Sequence, residues 1–115
     1  MKTFLTYSEL ELVKAACETL QEKALINFII ETGCSYKQLI SIRVQEIDSL
    51  DLSKALKEIL NEYILKSRKK PKEKLFILRD LGNTPGEIIR IVGHKSVGYI
   101  NVPILNNSCK GKEMK

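Results

Sequence analysis

The chain has little of what most recognisable site chemistry uses. It contains one histidine, His94, and three cysteines, Cys17, Cys34 and Cys109. That set cannot furnish a spaced metal box or an even-numbered disulfide framework. The thiols read as reduced, two of them as core fillers, which suits a cytoplasmic protein. No uninterrupted apolar stretch exceeds four residues, against the roughly 20 needed to cross a bilayer. The first residues, Met1 to Thr6, lack the apolar run and small residues of a secretory signal. There is no internal repeat, and only the last few residues are compositionally biased. The expectation from these absences is a protein without a metal site, a cofactor or a membrane partner.

What is present is ordinary globular composition carrying an uneven charge. A chain of 115 residues, 43% hydrophobic and 29% charged, has room for one core and no second domain. Residues 1–65 hold seven Lys/Arg against ten Asp/Glu, and residues 66–115 hold twelve against four, so the halves differ as −3 and +8. Lys66, Arg68, Lys69, Lys70, Lys72 and Lys74 crowd into nine residues with only Glu73 opposing them. Clustered cations attract polyanions, because each phosphate neutralised releases a condensed counterion. A solvated basic loop that serves only solubility is the plainer reading of the same run.

Helical periodicity dominates the rest. Thr6-Tyr7-Ser8-Glu9 is a capping-box pattern and starts a helix near Tyr7, with Leu10, Val13, Cys17 and Leu20 as its stripe. A second helix, about Gln21 to Thr32, is apolar nearly all round and is expected at the centre of the core. Gly33 stands where a left-handed cap is wanted. A short third helix is expected over roughly 36–42. A fourth presents Leu52, Ala55, Leu56, Ile59, Leu60, Tyr63 and Ile64 at steps of three and four. Pro71 interrupts the basic run that follows. Lys74 to Leu78 reads as a strand or a buried extended segment. Thr84-Pro85-Gly86-Glu87 caps a last helix that is expected to close at Gly93. The fold class is therefore mainly α: five or six helices with one small strand or hairpin, over residues 1–105. A polar tail occupies 106–115.

Three collinear segments carry a family resemblance. They are Phe4-Leu5-Thr6-Tyr7-Ser8-Glu9-Leu10, then Thr32-Gly33-Cys34-Ser35-Tyr36-Lys37-Gln38-Leu39 with Ile42-Arg43-Val44-Gln45-Glu46-Ile47-Asp48, and last Gly82 through Gly93-His94-Lys95-Ser96. Together they resemble the catalytic domain of tyrosine recombinases, the phage-integrase family, in a shortened form. The resemblance implies an attack by a Tyr hydroxyl on a DNA phosphodiester, with Arg forks on the non-bridging oxygens. A Lys to protonate the leaving oxygen is also implied, in a hairpin where Lys69, Lys70, Lys72 and Lys74 lie.

The parts that sever DNA are not all there. The first Arg position holds Ser35, which brings no charge. Arg79 keeps the Leu-Arg portion of the second box, with Phe76 where the family has His. His94 matches the late His. Nine residues beyond it, where the family places the nucleophile, stands Pro103; Tyr99 is only five residues on. Arg79 and His94 are thus remnant candidates, and no residue stands as a catalytic group.

The expected function is binding of double-stranded DNA through its phosphates, without strand cleavage by this chain. The contact residues would be Lys66, Arg68, Lys69, Lys70, Lys72, Lys74, Arg90 and Lys95. One alternative is a protein-interaction module that pairs with a full-length integrase or with itself, docking through Val102, Ile104 and Leu105. Another is a helix-turn-helix regulator in which Thr84–Val92 is a helix and Gly93-His94 the turn.

Overall fold

The structure, a computed structural model, describes residues 5–98 and Ile100. Among the described residues six α-helices and one 3-10 helix follow in order: α1 (Tyr7–Ala16), α2 (Leu20–Thr32), α3 (Tyr36–Leu39), the 3-10 helix Val44–Ser49, α4 (Lys54–Ser67), α5 (Leu78–Leu81) and α6 (Pro85–Lys95). Local chemistry sets most of these boundaries. At α1 the Thr6 hydroxyl accepts from Glu9 N at 3.2 Å while Glu9 Oε1 accepts from Thr6 N at 2.9 Å. Thr19 with Glu22 and Thr84 with Glu87 repeat the reciprocal cap at α2 and α6. Each box satisfies two of the first-turn groups that a helix leaves unbonded. Gly33 ends α2 at φ +66°, its N–H reaching Ile29 O at 2.8 Å.

The core forms around α2, which buries Ala24, Leu25, Ile26, Phe28, Ile29 and Ile30. α4 lays Leu56, Leu60 and Tyr63 against it, and α6 adds Ile88, Ile89 and Val92. Phe76 joins the layers. Its ring meets Phe28 edge-on at 5.5 Å and stacks with Tyr63 at 5.8 Å between centroids, arrangements that aromatic quadrupoles favour. Cys17 is buried among these side chains and Cys34 half-buried.

The helical class and the central place of α2 agree with expectation, and three details differ. No strand forms among the described residues. Leu75 and Phe76 are buried as expected, but the chain bends at both and the ladder is a single antiparallel bridge, Arg43 with Lys74. The 3-10 helix begins at Val44 and α5 at Leu78, which leaves no length for a second pair.

α3 is one turn long, ending at Leu39. α6 does not stop at Gly93 but continues to Lys95. That continuation removes the turn at Gly93-His94 that a helix-turn-helix reading requires. Tyr99, the strip Val102, Ile104 and Leu105, and the tail 106–115 lie outside the described residues.

Candidate nucleic-acid interface

The basic run acquires its geometry from the segment it lies against. Val44 N donates to Glu73 O at 2.9 Å and Leu75 N to Ile42 O at 2.8 Å. These bonds flank Arg43 and Lys74, which makes them a non-hydrogen-bonded antiparallel pair, the closer of the two cross-strand geometries. Lys74 is exposed while Leu75 turns into the core, and Lys72, in the turn just before the bridge, is exposed as well. Arg43 is exposed too, and its Nη1 donates to the Lys72 carbonyl at 2.6 Å. Glu46 is the nearby carboxylate. It accepts from the Arg43 backbone N–H at 2.8 Å as a cap of the 3-10 helix.

The eight cations named from the sequence separate into groups. Lys70, Lys72 and Lys74 are exposed and carry no ion pair among the described residues. Arg68 is exposed and caps α4 in the left-handed region at φ +53°, a conformation few non-glycine residues adopt. Arg90 is exposed on α6 and is likewise unpaired among the described residues. Lys66 pairs with Glu62 at 3.4 Å, both solvent-exposed; such pairs are weak and screened.

Lys69 is a correction, and Lys95 is engaged in ion pairs. The Lys69 side chain is 0% exposed and forms an ion pair with Asp80, itself 6% exposed. It is a structural cation and cannot reach a phosphate from there. Lys95 reaches Glu22 at 3.1 Å and Glu18 at 3.2 Å. Burial opposes ionisation of Glu22, but the Glu18 backbone N–H and Lys95 hold its carboxyl below the usual range.

Arg43 is the contact candidate that the basic run alone misses. It lies 31 positions before Lys74, among neighbours of ordinary charge, and only the bridge brings it in. The available signal was the apolar Leu75-Phe76, whose neighbouring backbone needed a partner.

The residues at recombinase-like positions do not form one cleft. Ser35 caps α3, its hydroxyl accepting from Gln38 N at 3.2 Å. It follows the C-terminal end of α2. Arg79 lines a cleft with Leu20 and Gln21 at the opposite end of that helix. Thirteen residues put those ends ~18 Å apart at 1.5 Å per residue.

Arg79 is held by Glu73 at 2.7 Å and by Asp80 at 3.3 Å. His94 is exposed in the last turn of α6. Among the described residues no group of His, Cys, Asp or Glu could hold a metal ion, and no helix is long and apolar enough to cross a membrane. No known protein family, no curated protein and no solved structure matches the chain.

Proposed function

We propose that this protein binds duplex DNA through its phosphate backbone and does not cut it. One observation carries the proposal: Arg43 and Lys74 stand directly opposite each other in the close antiparallel pairing, with exposed Lys72 two residues before Lys74 and its carbonyl on Arg43. Like charges so placed repel and cost stability. A phosphate bridging them turns that repulsion into charge-assisted hydrogen bonds. The guanidinium is already anchored on the Lys72 carbonyl, so little side-chain freedom is lost when an anion arrives.

Lys70 and Arg68 extend the surface along the chain. Contacts of this kind position a protein on a duplex and carry little base information. The resemblance to tyrosine recombinases enters only as the reason to name duplex DNA rather than another polyanion. The non-cleaving reading is supported by Ser35 serving as a helix cap and by the separation of Ser35 and Arg79.

The test is a fluorescence-anisotropy titration of a labelled duplex at several salt concentrations. Log affinity should fall linearly with log salt, with a slope of about −0.9 for each phosphate neutralised. Replacing Arg43, Lys72 and Lys74 by Gln should weaken binding at low salt and make the slope shallower by roughly two to three. Replacing Arg90 alone should change it by one or less. An unaltered slope in the triple variant, or no binding at low salt, overturns the proposal.

A further inference from the structure

A second polar site is lined by residues other than Arg43, Lys72 and Lys74. The first turn of α2, the last turns of α4 and the short α5 enclose a cleft of about 470 Å³, lined by Leu20, Gln21, Tyr63, Lys66, Ser67, Arg79 and Asp80. Tyr63 is 1% exposed, and its hydroxyl has no hydrogen-bond partner among the described residues. Buried hydroxyls almost always have one, because leaving one unmade forfeits the solvation it had in water. Burial, with Asp80 adding in the same direction, pushes the Tyr63 phenol above its ordinary value. At neutral pH the group is therefore an O–H donor waiting for an acceptor.

The surroundings say which kind of acceptor. The Asp80 carboxylate is already taken, one oxygen by buried Lys69 and the other by Arg79 Nε. Arg79 Nη2 goes to Glu73, which leaves Nη1 without a partner among the described residues. Among the described residues Lys66 is tied only to the exposed Glu62, an attachment that a competing anion displaces easily.

A neutral donor just behind the wall, a free guanidinium edge and an ammonium together suit a compact oxyanion. The volume exceeds what the anion alone would fill. We infer that this cleft binds a phosphomonoester, its phosphoryl oxygens accepting from Tyr63 Oη, Arg79 Nη1 and Lys66 Nζ, with the organic body in the remaining space. This site does not rest on the DNA-binding proposal and shares none of its three test residues.

The experiment is thermal unfolding of the whole chain at constant ionic strength with inorganic phosphate, a nucleoside 5′-monophosphate, or the nucleoside without phosphate. Both phosphate compounds should raise the melting temperature, the nucleotide more, and the nucleoside should not. Tyr63→Phe keeps the ring that stacks on Phe76. Without ligand it should melt at or above the temperature of the parent protein, because it removes a buried, unpartnered hydroxyl. It should bind either phosphate compound roughly 10- to 100-fold more weakly, the loss expected for a hydrogen bond to a charged acceptor.

Lys66→Gln, on the exposed rim, should fold normally and also weaken binding. Three results each overturn the inference: a melting temperature indifferent to phosphate, an equal shift in Tyr63→Phe, or a lower ligand-free melting temperature for Tyr63→Phe. If the nucleoside stabilises as much as its monophosphate, the phosphoryl group is not what the cleft recognises and the inference also falls. Retention of the shift in the Arg43, Lys72 and Lys74 variant would separate this site from the DNA-binding surface.

Discussion

A methyl group at position 93 would stand 2.5 Å from Ile100 Cγ1 and 2.8 Å from Ile100 N, closer than atoms of those kinds approach. Gly93 is thus required by the return of the chain onto α6, which is fixed by Gly98 N donating to Gly93 O at 2.8 Å and seals Ile100 into the core. Gly93→Ala should destabilise the protein by about 1–2 kcal/mol, the overpacking cost less the small gain in helix propensity. Urea unfolding measures it, and unchanged stability would show that Ile100 can withdraw at no cost. Ser35 marks the other extreme. Its hydroxyl works locally as a cap, so the side chain at the position resembling a catalytic Arg has a complete role without any reaction.

The joint between α4 and α5 depends on one buried pair. Lys69 and Asp80 have almost no exposure, and the segment between them carries Leu75 and Phe76 into the core. Removing one partner leaves a buried charge uncompensated, which typically costs about 3–5 kcal/mol. Asp80→Asn and Lys69→Met should each melt far below the parent protein. The double replacement Lys69→Met with Asp80→Leu should recover most of the loss, because buried pairs seldom exceed an apolar substitute. A double variant no better than the singles would contradict this account.

Elements were legible where their cause was local. Thr6 with Glu9, Thr84 with Glu87 and the left-handed Gly33 signal their helix ends from within three or four residues. The apolar surround of α2 signals its central position. Lys69 was not legible as a core residue, because its partner is 11 positions away and its neighbours are solvated lysines. The same reason hid Arg43 from the basic surface. The end of α6 was misplaced for a different reason. Gly93 suggests a cap, whereas its purpose is to admit Ile100, a contact that no periodicity encodes.

At the scale of the whole molecule, Glu22 ties three helices. Its carboxylate caps the start of α2, receives the Glu18 backbone N–H at 2.8 Å just past the end of α1, and holds Lys95 at the end of α6. Its affinity for a proton is lower in the folded state than its ordinary value of 4.5. The stabilisation it supplies is therefore complete above that value and disappears as pH falls through the lower folded one. Glu22→Gln should cost about 1–2 kcal/mol at pH 7, from the weakened cap and the lost charge-assisted bonds. The gap between parent and variant should narrow below pH 4.5 in unfolding curves recorded across pH. A gap independent of pH would remove Glu22 as the titrating group.

The Arg43–Lys74 bridge has a consequence that extends past its own corner. Its two cations repel, and dissolved ions shield that repulsion, whereas at the Lys95–Glu22 junction the same ions weaken an attraction. Brine thus firms one end of the protein while slackening the other, and a bound duplex would do the firming without the slackening.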